Sequence, residues 1–320
     1  MIIPTIGIHI IQSHMNFSQI REVSNAAERL GFNSVTVMDH FRTTIPPLEG
    51  NLLECWTTLS ALARETRNIK LGSMVTCASF RNPALLAKLA ASLDCISNGR
   101  LKFGIGAGWC QGEFEEYGYS FSTPKERIER LNESVQIIKA LWTHERTSFK
   151  GKHFKIQEAV CYPKPIQIPF PPIFIGGGGE QLTLRVVAEQ ADGWNWGGSI
   201  DEYSHKIKVL KQHCKKVNRK FEEICLSWLG WVVPSSDPKE ISKFLPEIQL
   251  ETHEMINRHL FGTAEQCITK LRNLIDLGVT DFELVFPDTI PVRQGTPTPI
   301  SLDSMKWFAE RVIPEIELPK

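Results

Sequence analysis

Pro172-Ile-Phe-Ile-Gly-Gly-Gly-Gly-Glu180, running on into Gln181-Leu-Thr-Leu-Arg-Val-Val-Ala-Glu189, is the stretch on which the fold turns. Ile173, Phe174 and Ile175 predict a short buried strand. Leu184, Val187, Ala188 and Ala191 recur at i, i+3, i+4 and i+7, which gives the next segment one apolar helical face. Four glycines between strand and helix leave backbone N–H groups uncovered by side chains at the positive end of a helix dipole. Such a turn suits a phosphate or a similar anion. A loose glycine turn is the bland alternative; the place between a strand and an amphipathic helix favours the anion site.

The run is not a dinucleotide fingerprint. Gly176 and Gly178 supply the first two glycines of G-x-G-x-x-G, but Gln181 stands where the third is needed. Gly104 and Gly106 fail the same test at Trp109. A doubly wound NAD domain is disfavoured on both counts.

The same strand–helix unit repeats outward in both directions. Strands are predicted at Thr5–Ile10, Ser34–Met38, Ile69–Val75, Leu101–Ile105, Gly193–Trp196, Ile224–Val233 and Asp281–Phe286. Helices are predicted at Ser18–Leu30, Leu53–Glu65, Ala84–Ile96, from Pro124, at Glu202–Val217, Ala264–Leu277 and Ser301–Val312. Thr123/Glu126, Ser199/Glu202 and Thr263/Gln266 read as capping boxes, and Pro124 suits the first helical position. Two stretches break the rhythm, Thr143–Pro171 with a hairpin around Gly151, and a helix-prone excursion over 238–258. Both read as insertions into one domain spanning 1–320. Eight strands alternating with about eight helices point to a closed (β/α)8 TIM barrel, with an open doubly wound sheet as the alternative.

The 36 basic and 36 acidic residues cancel, so no electrostatic footprint marks a nucleic acid or an anionic membrane as partner. No apolar run approaches the ~18 residues of a membrane span. The N-terminal Met1-Ile-Ile-Pro-Thr-Ile-Gly7 lacks the basic and apolar regions of a signal peptide. Eight cysteines are scattered without a C-x-x-C pair or zinc spacing, which predicts reduced thiols, a cytoplasmic protein and no metal site.

A barrel keeps its chemistry at the C-terminal ends of its strands. There the sequence places Gln12 and His14, Asp39-His40-Phe41, Ser73-Met-Val-Thr76, Gly104-Ile-Gly-Ala-Gly-Trp109, the four glycines, Trp194-Asn-Trp196, and Trp228 with Trp231. No nucleophile elbow or metal cluster is among them. A pocket for a flat, phosphorylated cofactor and a small-molecule substrate remains. His40 stands out because imidazole exchanges protons near neutral pH, and Asp39 could set its tautomer. The alternative is that Asp39 caps a turn and His40 packs. His9 reads as a satisfied core histidine, Cys110 as incidental, and the lysines of 201–222 as a solvated helix face.

Several of these residues also carry a family resemblance. Val37-Met-Asp-His-Phe41, Asn82-Pro-Ala-Leu-Leu-Ala-Lys88, Gly99-Arg-Leu-Lys-Phe-Gly-Ile-Gly-Ala-Gly-Trp109, Glu126-Arg-Ile-Glu-Arg-Leu-Asn-Glu133, Pro172–Glu180 and Ala191-Asp-Gly-Trp-Asn195 resemble, in order, the bacterial luciferase-like monooxygenase family. The resemblance covers about residues 5–290 and implies a (β/α)8 barrel, usually a homodimer.

One branch of that family uses FMN, often with oxygen. The other uses coenzyme F420, a deazaflavin that moves hydride, and the Asp39-His40 pair is similar to this second branch. The resemblance implies His40 as the catalytic residue beside the reactive ring carbon, with Asp39 orienting it. It implies Asp39, Ser73, Met74 and Thr76 along the ring, a non-proline cis peptide at Ser73–Met74, close approach at Gly106 and Gly108, and a phosphate grip at Gly176, Gly177, Gly178 and Gly179. Sugar-phosphate dehydrogenases of the branch carry a glutamate where Trp109 stands here, and no Lys/Arg cluster awaits an anionic coenzyme tail. Three functions follow as expectations: an F420-dependent oxidoreductase, an FMN-dependent monooxygenase, or a non-catalytic flavin-binding protein. The substrate pocket would be built from Pro46–Glu49, Thr143–Pro171 and 238–258.

Overall fold

A computed structural model of the chain describes residues 3–235, 252–293 and 295–317. Its barrel strands are β1 Thr5–Ile10, β2 Ser34–Val37, β3 Lys70–Cys77, β4 Leu101–Gly106, β5 Ile173–Gly176, β6 Gly193–Trp196, β7 Cys225–Val233 and β8 Val279–Val285. Each pairs in parallel with the next, and β8 returns to β1 with Thr5 opposite Asp281 and Ile8 opposite Leu284. The circuit is closed, which rules out the open sheet. A short strand, Leu260–Phe261, adds to the far end of β7.

The main helices that follow the barrel strands are α1 Phe17–Arg29, α2 Cys55–Glu65, α3 Pro83–Ser97, α4 Pro124–Thr143, α5 Thr183–Gln190, α6 Ile200–Lys216, α7 Ala264–Asp276 and α8 Asp303–Arg311. All three expected capping boxes form, at Thr123, Ser199 and Thr263, with reciprocal bonds that satisfy first-turn N–H groups. Residues 180–182 form a turn, and helix α5 begins at Thr183, one residue before the first member of its apolar face. The break in the rhythm at 143–171 contains an antiparallel hairpin, Thr147–Lys150 with Lys155–Ala159. Its turn donates the N–H groups of Lys152, His153 and Phe154 to the Glu133 carboxylate on α4. Most of the excursion placed at 238–258 lies outside the described residues; Thr252–Arg258 is helical.

Apolar strand residues such as Ile8, Val35, Leu71, Phe103 and Ile175 join the helices in one continuous buried core. The lumen is polar instead. Lys102 on β4 reaches across it to both carboxylate oxygens of Asp281 (2.6 and 2.7 Å) and to Glu283 (2.5 Å) on β8. Ser227 and Thr5 also bond Asp281, and Ser34 and Thr36 bond Glu283. Burial works against the Lys102 charge, but the two carboxylates outweigh it and raise its pKa. This filled floor means that a ligand can enter the barrel from the C-terminal end alone.

Candidate active site

Above that floor a cavity of about 820 Å³ opens at the C-terminal ends of the strands, large enough for a tricyclic ring and a small substrate. Among the residues that line it are His9, Asp39, His40, Met74, Val75, Thr76, Gly106, Gly108, Trp109, Glu113, Gly176, Gly177 and Gly179. Of the expected site residues, Ser73 and Gly178 are absent from the wall. Ser73 is fully buried, with its hydroxyl donated to the Gly104 carbonyl (3.0 Å). Gly178 lies under the Trp196 indole, where an added Cβ would come within 2.6 Å of Nε1.

His40 follows β2 and lies 2.6 Å, through Nδ1, from Glu113 Oε2. A carboxylate is an acceptor, so Nδ1 carries the proton and Nε2 is left for a bound molecule. Glu113 belongs to a short helix, Gln111–Glu116, which follows β4. Its other oxygen accepts the N–H groups of Phe41 (2.8 Å) and Arg42 (3.3 Å), so one buried carboxylate fixes both the ring and its backbone. Burial pushes the Glu113 carboxyl up, but the hydrogen bond and charge of His40 and these N–H donors outweigh it, leaving the pKa below the ordinary carboxylate value. Trp109 packs edge-on against His40 with ring centroids 5.7 Å apart, and stands 70% exposed at the rim.

The expected Asp39–His40 contact is not made. Successive residues of an extended chain point to opposite sides, and Asp39 turns toward β3. Its carboxylate makes a two-pronged pair with Arg81, at 2.6 and 2.9 Å, and accepts from the Thr76 hydroxyl and the Cys77 N–H. Arg81 in turn holds Glu54 at 2.6 Å. Asp39 therefore braces the wall on which Thr76 sits, and Glu113 takes the orienting role.

The cis peptide lies one bond later than the resemblance implies, between Met74 and Val75. Val75 projects over the neighbouring strands. A Cβ on Gly106 would meet its Cγ2 at 2.7 Å, and one on Gly176 its Cγ1 at 2.8 Å. Glycine at both positions is what admits Val75 as an apolar shelf in the cavity wall. The turn after β5 needs Gly177 at φ +123, a conformation closed to other residues. The Gly177 N–H is already bonded to Asn195 O (3.1 Å) and that of Leu184 to Gly179 O (2.9 Å), while Leu182 caps α5 without a side-chain bond and the Thr183 and Arg185 N–H groups carry no such backbone bond. Arg127 on α4 lines the same cavity, anchored to Gly108 O and Ser122 O with its guanidinium 4.0 Å from the Phe121 ring centre. Burial lowers its pKa.

Among the tryptophans, Trp194 is buried with Nε1 donated to Gly177 O (2.8 Å), Trp228 is buried, and Trp196 and Trp231 face the cavity. Gln12 bonds Met38 reciprocally across the ends of β1 and β2, and His14 bonds Ile45 O, so both are structural. Cys110 has its thiol pKa raised by burial and has no activating role. Among the described residues no group of side chains could hold a metal, and no helix is long and apolar enough to cross a membrane. Glu113, Arg81 and Arg127 escape a reading of the sequence. The signals there are slight: Glu113 follows glycine-rich β4 by seven residues, and Arg127 lies within the family-like stretch Glu126–Glu133.

The profile of the family described as luciferase-like monooxygenase matches residues 2–244. An F420-dependent glucose-6-phosphate dehydrogenase of Gordonia bronchialis is 32% identical over 217 residues, 64% of this chain and 61% of that protein. An F420-dependent hydroxymycolic acid dehydrogenase of Mycobacterium tuberculosis is 34% identical over 191 residues, 59% of this chain and 52% of the relative. The matched region thus spans little more than half of these relatives' length. An F420-dependent secondary alcohol dehydrogenase, solved with an F420–acetone adduct, superposes with a TM-score of 0.85 at 19% identity, covering 98% of this chain and 99% of that one. At that identity the likeness establishes the shared barrel.

Proposed function

The chain belongs to the luciferase-like monooxygenase family, and from that membership and the cavity we propose that it is a coenzyme F420-dependent oxidoreductase acting on a small organic substrate. The observation that carries the reading is a histidine at the cavity wall, held by a buried carboxylate, beside a shelf that only glycine neighbours permit. The relatives whose names specify F420 support the coenzyme.

The residues fit such a group. Val75, Gly106 and Gly176 form a flat apolar wall, and side chains at the two glycines would fill the space. Gly179 and the N–H groups of Thr183 and Arg185 at the start of α5 would take the phosphate, with Arg127 on the same cavity wall as a cation. When bound, the coenzyme supplies hydride exchange with a substrate carbon. The protein's part is to orient ring and substrate, exclude water, and move one proton through His40 Nε2 while Glu113 keeps Nδ1 protonated. Trp109 offers the substrate an aromatic surface and no charge, which favours an uncharged substrate over a sugar phosphate.

The same reading includes a cytoplasmic homodimer within one domain. Eight free thiols suit a reducing compartment. Leu85 and Ile96 on α3, with Val160, Tyr162, Ile166 and a 93% exposed Ile168, form an apolar face that a second copy would cover.

Fluorescence titration of the purified protein with F420 and with FMN tests the coenzyme. Saturable F420 binding with much weaker FMN binding is expected; tight binding of FMN alone would move the chain to the flavin-dependent branch. His40→Ala should abolish turnover and spare coenzyme affinity. A turnover-competent H40A protein would overturn the proton role.

A further inference from the structure

The lumen holds a second histidine that the proposed chemistry does not use. His9 on β1 is 6% exposed and lines the cavity. Its Nδ1 lies 3.0 Å from Thr36 Oγ1. Thr36 has one hydroxyl proton and donates it to Glu283 Oε2 at 2.7 Å. Thr36 must then accept from His9, so Nδ1 carries the ring proton. Burial, and next the nearby His40, lower the His9 pKa to about 4, so the ring holds a single proton at neutral pH. Nε2 is left as a bare lone pair at the cavity, with no hydrogen-bond partner among the described residues.

We propose that His9 Nε2 accepts a hydrogen bond from a hydroxyl group of the molecule held in the cavity. The neighbouring wall argues for a hydroxyl over an amide. Leu284 pairs with Ile8, which puts Val285 beside His9, and Ile11, Met38 and Leu229 complete that wall. An amide N–H would bring a carbonyl that these side chains cannot satisfy; a lone hydroxyl on an apolar body brings no such demand. The proposal rests on the cavity being the coenzyme and substrate site. Three sources of a hydroxyl are then candidates: the phenolic group that F420 carries on its ring and FMN lacks, the ribityl chain that both share, and an alcohol substrate.

The test is nitrogen-15 NMR of the histidine rings in intact protein. His9 is expected to show a protonated Nδ1 and a bare Nε2 from about pH 6 to 8, the tautomer set by a donated hydrogen bond. A shift of Nε2 with F420 alone assigns the ring hydroxyl, and a shift with both F420 and FMN the ribityl chain. A shift only when propan-2-ol joins the F420-loaded protein assigns the substrate. His9→Phe should then weaken the responding ligand about five-fold, as for one neutral hydrogen bond. A proton on Nε2 of the free protein, or an Nε2 indifferent to all three ligands, overturns the proposal. If fluorescence shows that F420 does not bind at all, the coenzyme reading fails separately; His9 is then judged by its tautomer and by FMN and propan-2-ol.

Discussion

His40 Nδ1 and Glu113 Oε2 stand 2.6 Å apart although they belong to different βα units, one after β2 and one after β4. The bond fixes which ring nitrogen faces the cavity, and the same carboxylate pins the Phe41 and Arg42 N–H groups. Glu113→Gln keeps the size and one acceptor but removes the carboxylate that holds the ring through Nδ1. Turnover should fall roughly 10–100-fold, the scale seen when a partner that orients a functional histidine is lost, with F420 affinity nearly unchanged. Steady-state kinetics with fluorescence titration separate the two effects, and equal loss in both would mean a folding defect instead.

Arg81 is the counterweight to Asp39. Arg81→Met leaves the Asp39 carboxylate buried with Thr76 and Cys77 as donors but no cation. Removing one partner of a buried pair costs about 3–5 kcal/mol, so urea unfolding should show a loss of that size. Arg81→Lys keeps the charge and loses the two-pronged geometry, and should fall between. A midpoint unchanged in the methionine variant would show that Asp39 is not held by this pair.

The fold was legible because its signals are local. Strand and helix periods, three capping boxes and a count of eight each need only neighbouring residues, and closure followed from the count. The place of His40 and of most of the glycines at the cavity was legible because each stands at the end of a strand, where the cavity opens. Asp39 misled because adjacency in sequence suggests contact, whereas an extended backbone sends adjacent side chains apart. Its true partner, Arg81, and that of His40, Glu113, arrive from other βα loops, and no spacing announces them. Ser73 is buried with its hydroxyl on Gly104 O, and the irregular register between Ser73 and Thr76 breaks the alternation of β3, so that Met74, Val75 and Thr76 all reach the cavity.

Acid should weaken the fold through His9. Its folded pKa, about 4, lies below the ordinary 6.5, so above pH 6.5 both states are neutral and stability is at its full value. Below 6.5 the unfolded chain takes up a proton that the folded ring refuses, and stability falls until the pH reaches about 4. The loss is on the order of 3 kcal/mol for a shift of this size. His259, lowered to about 3 by burial, adds loss in the same direction down to lower pH. Urea midpoints at pH 7 and pH 4.5 measure the fall, and His9→Gln should flatten the part due to His9. An equally steep fall in that variant would assign the acid sensitivity elsewhere.

The Val75 shelf can be tested by moving the clash. Gly176→Ala sets a methyl 2.8 Å from Val75 Cγ1 and 3.0 Å from Cγ2. Those are branches of a short, stiff side chain that cannot swing clear, so the shelf must be pushed into the cavity or β5 displaced. Either movement should weaken F420 binding by at least about ten-fold, since misplacing a cofactor wall by a fraction of an ångström costs more than 1 kcal/mol. Val75→Ala alone removes two methyl groups and should loosen binding modestly. In the double variant the new methyl occupies space that Val75 has vacated, so binding should recover toward the level of Val75→Ala. Additive losses in this cycle would show that Gly176 matters through its backbone and not through the space it leaves for Val75.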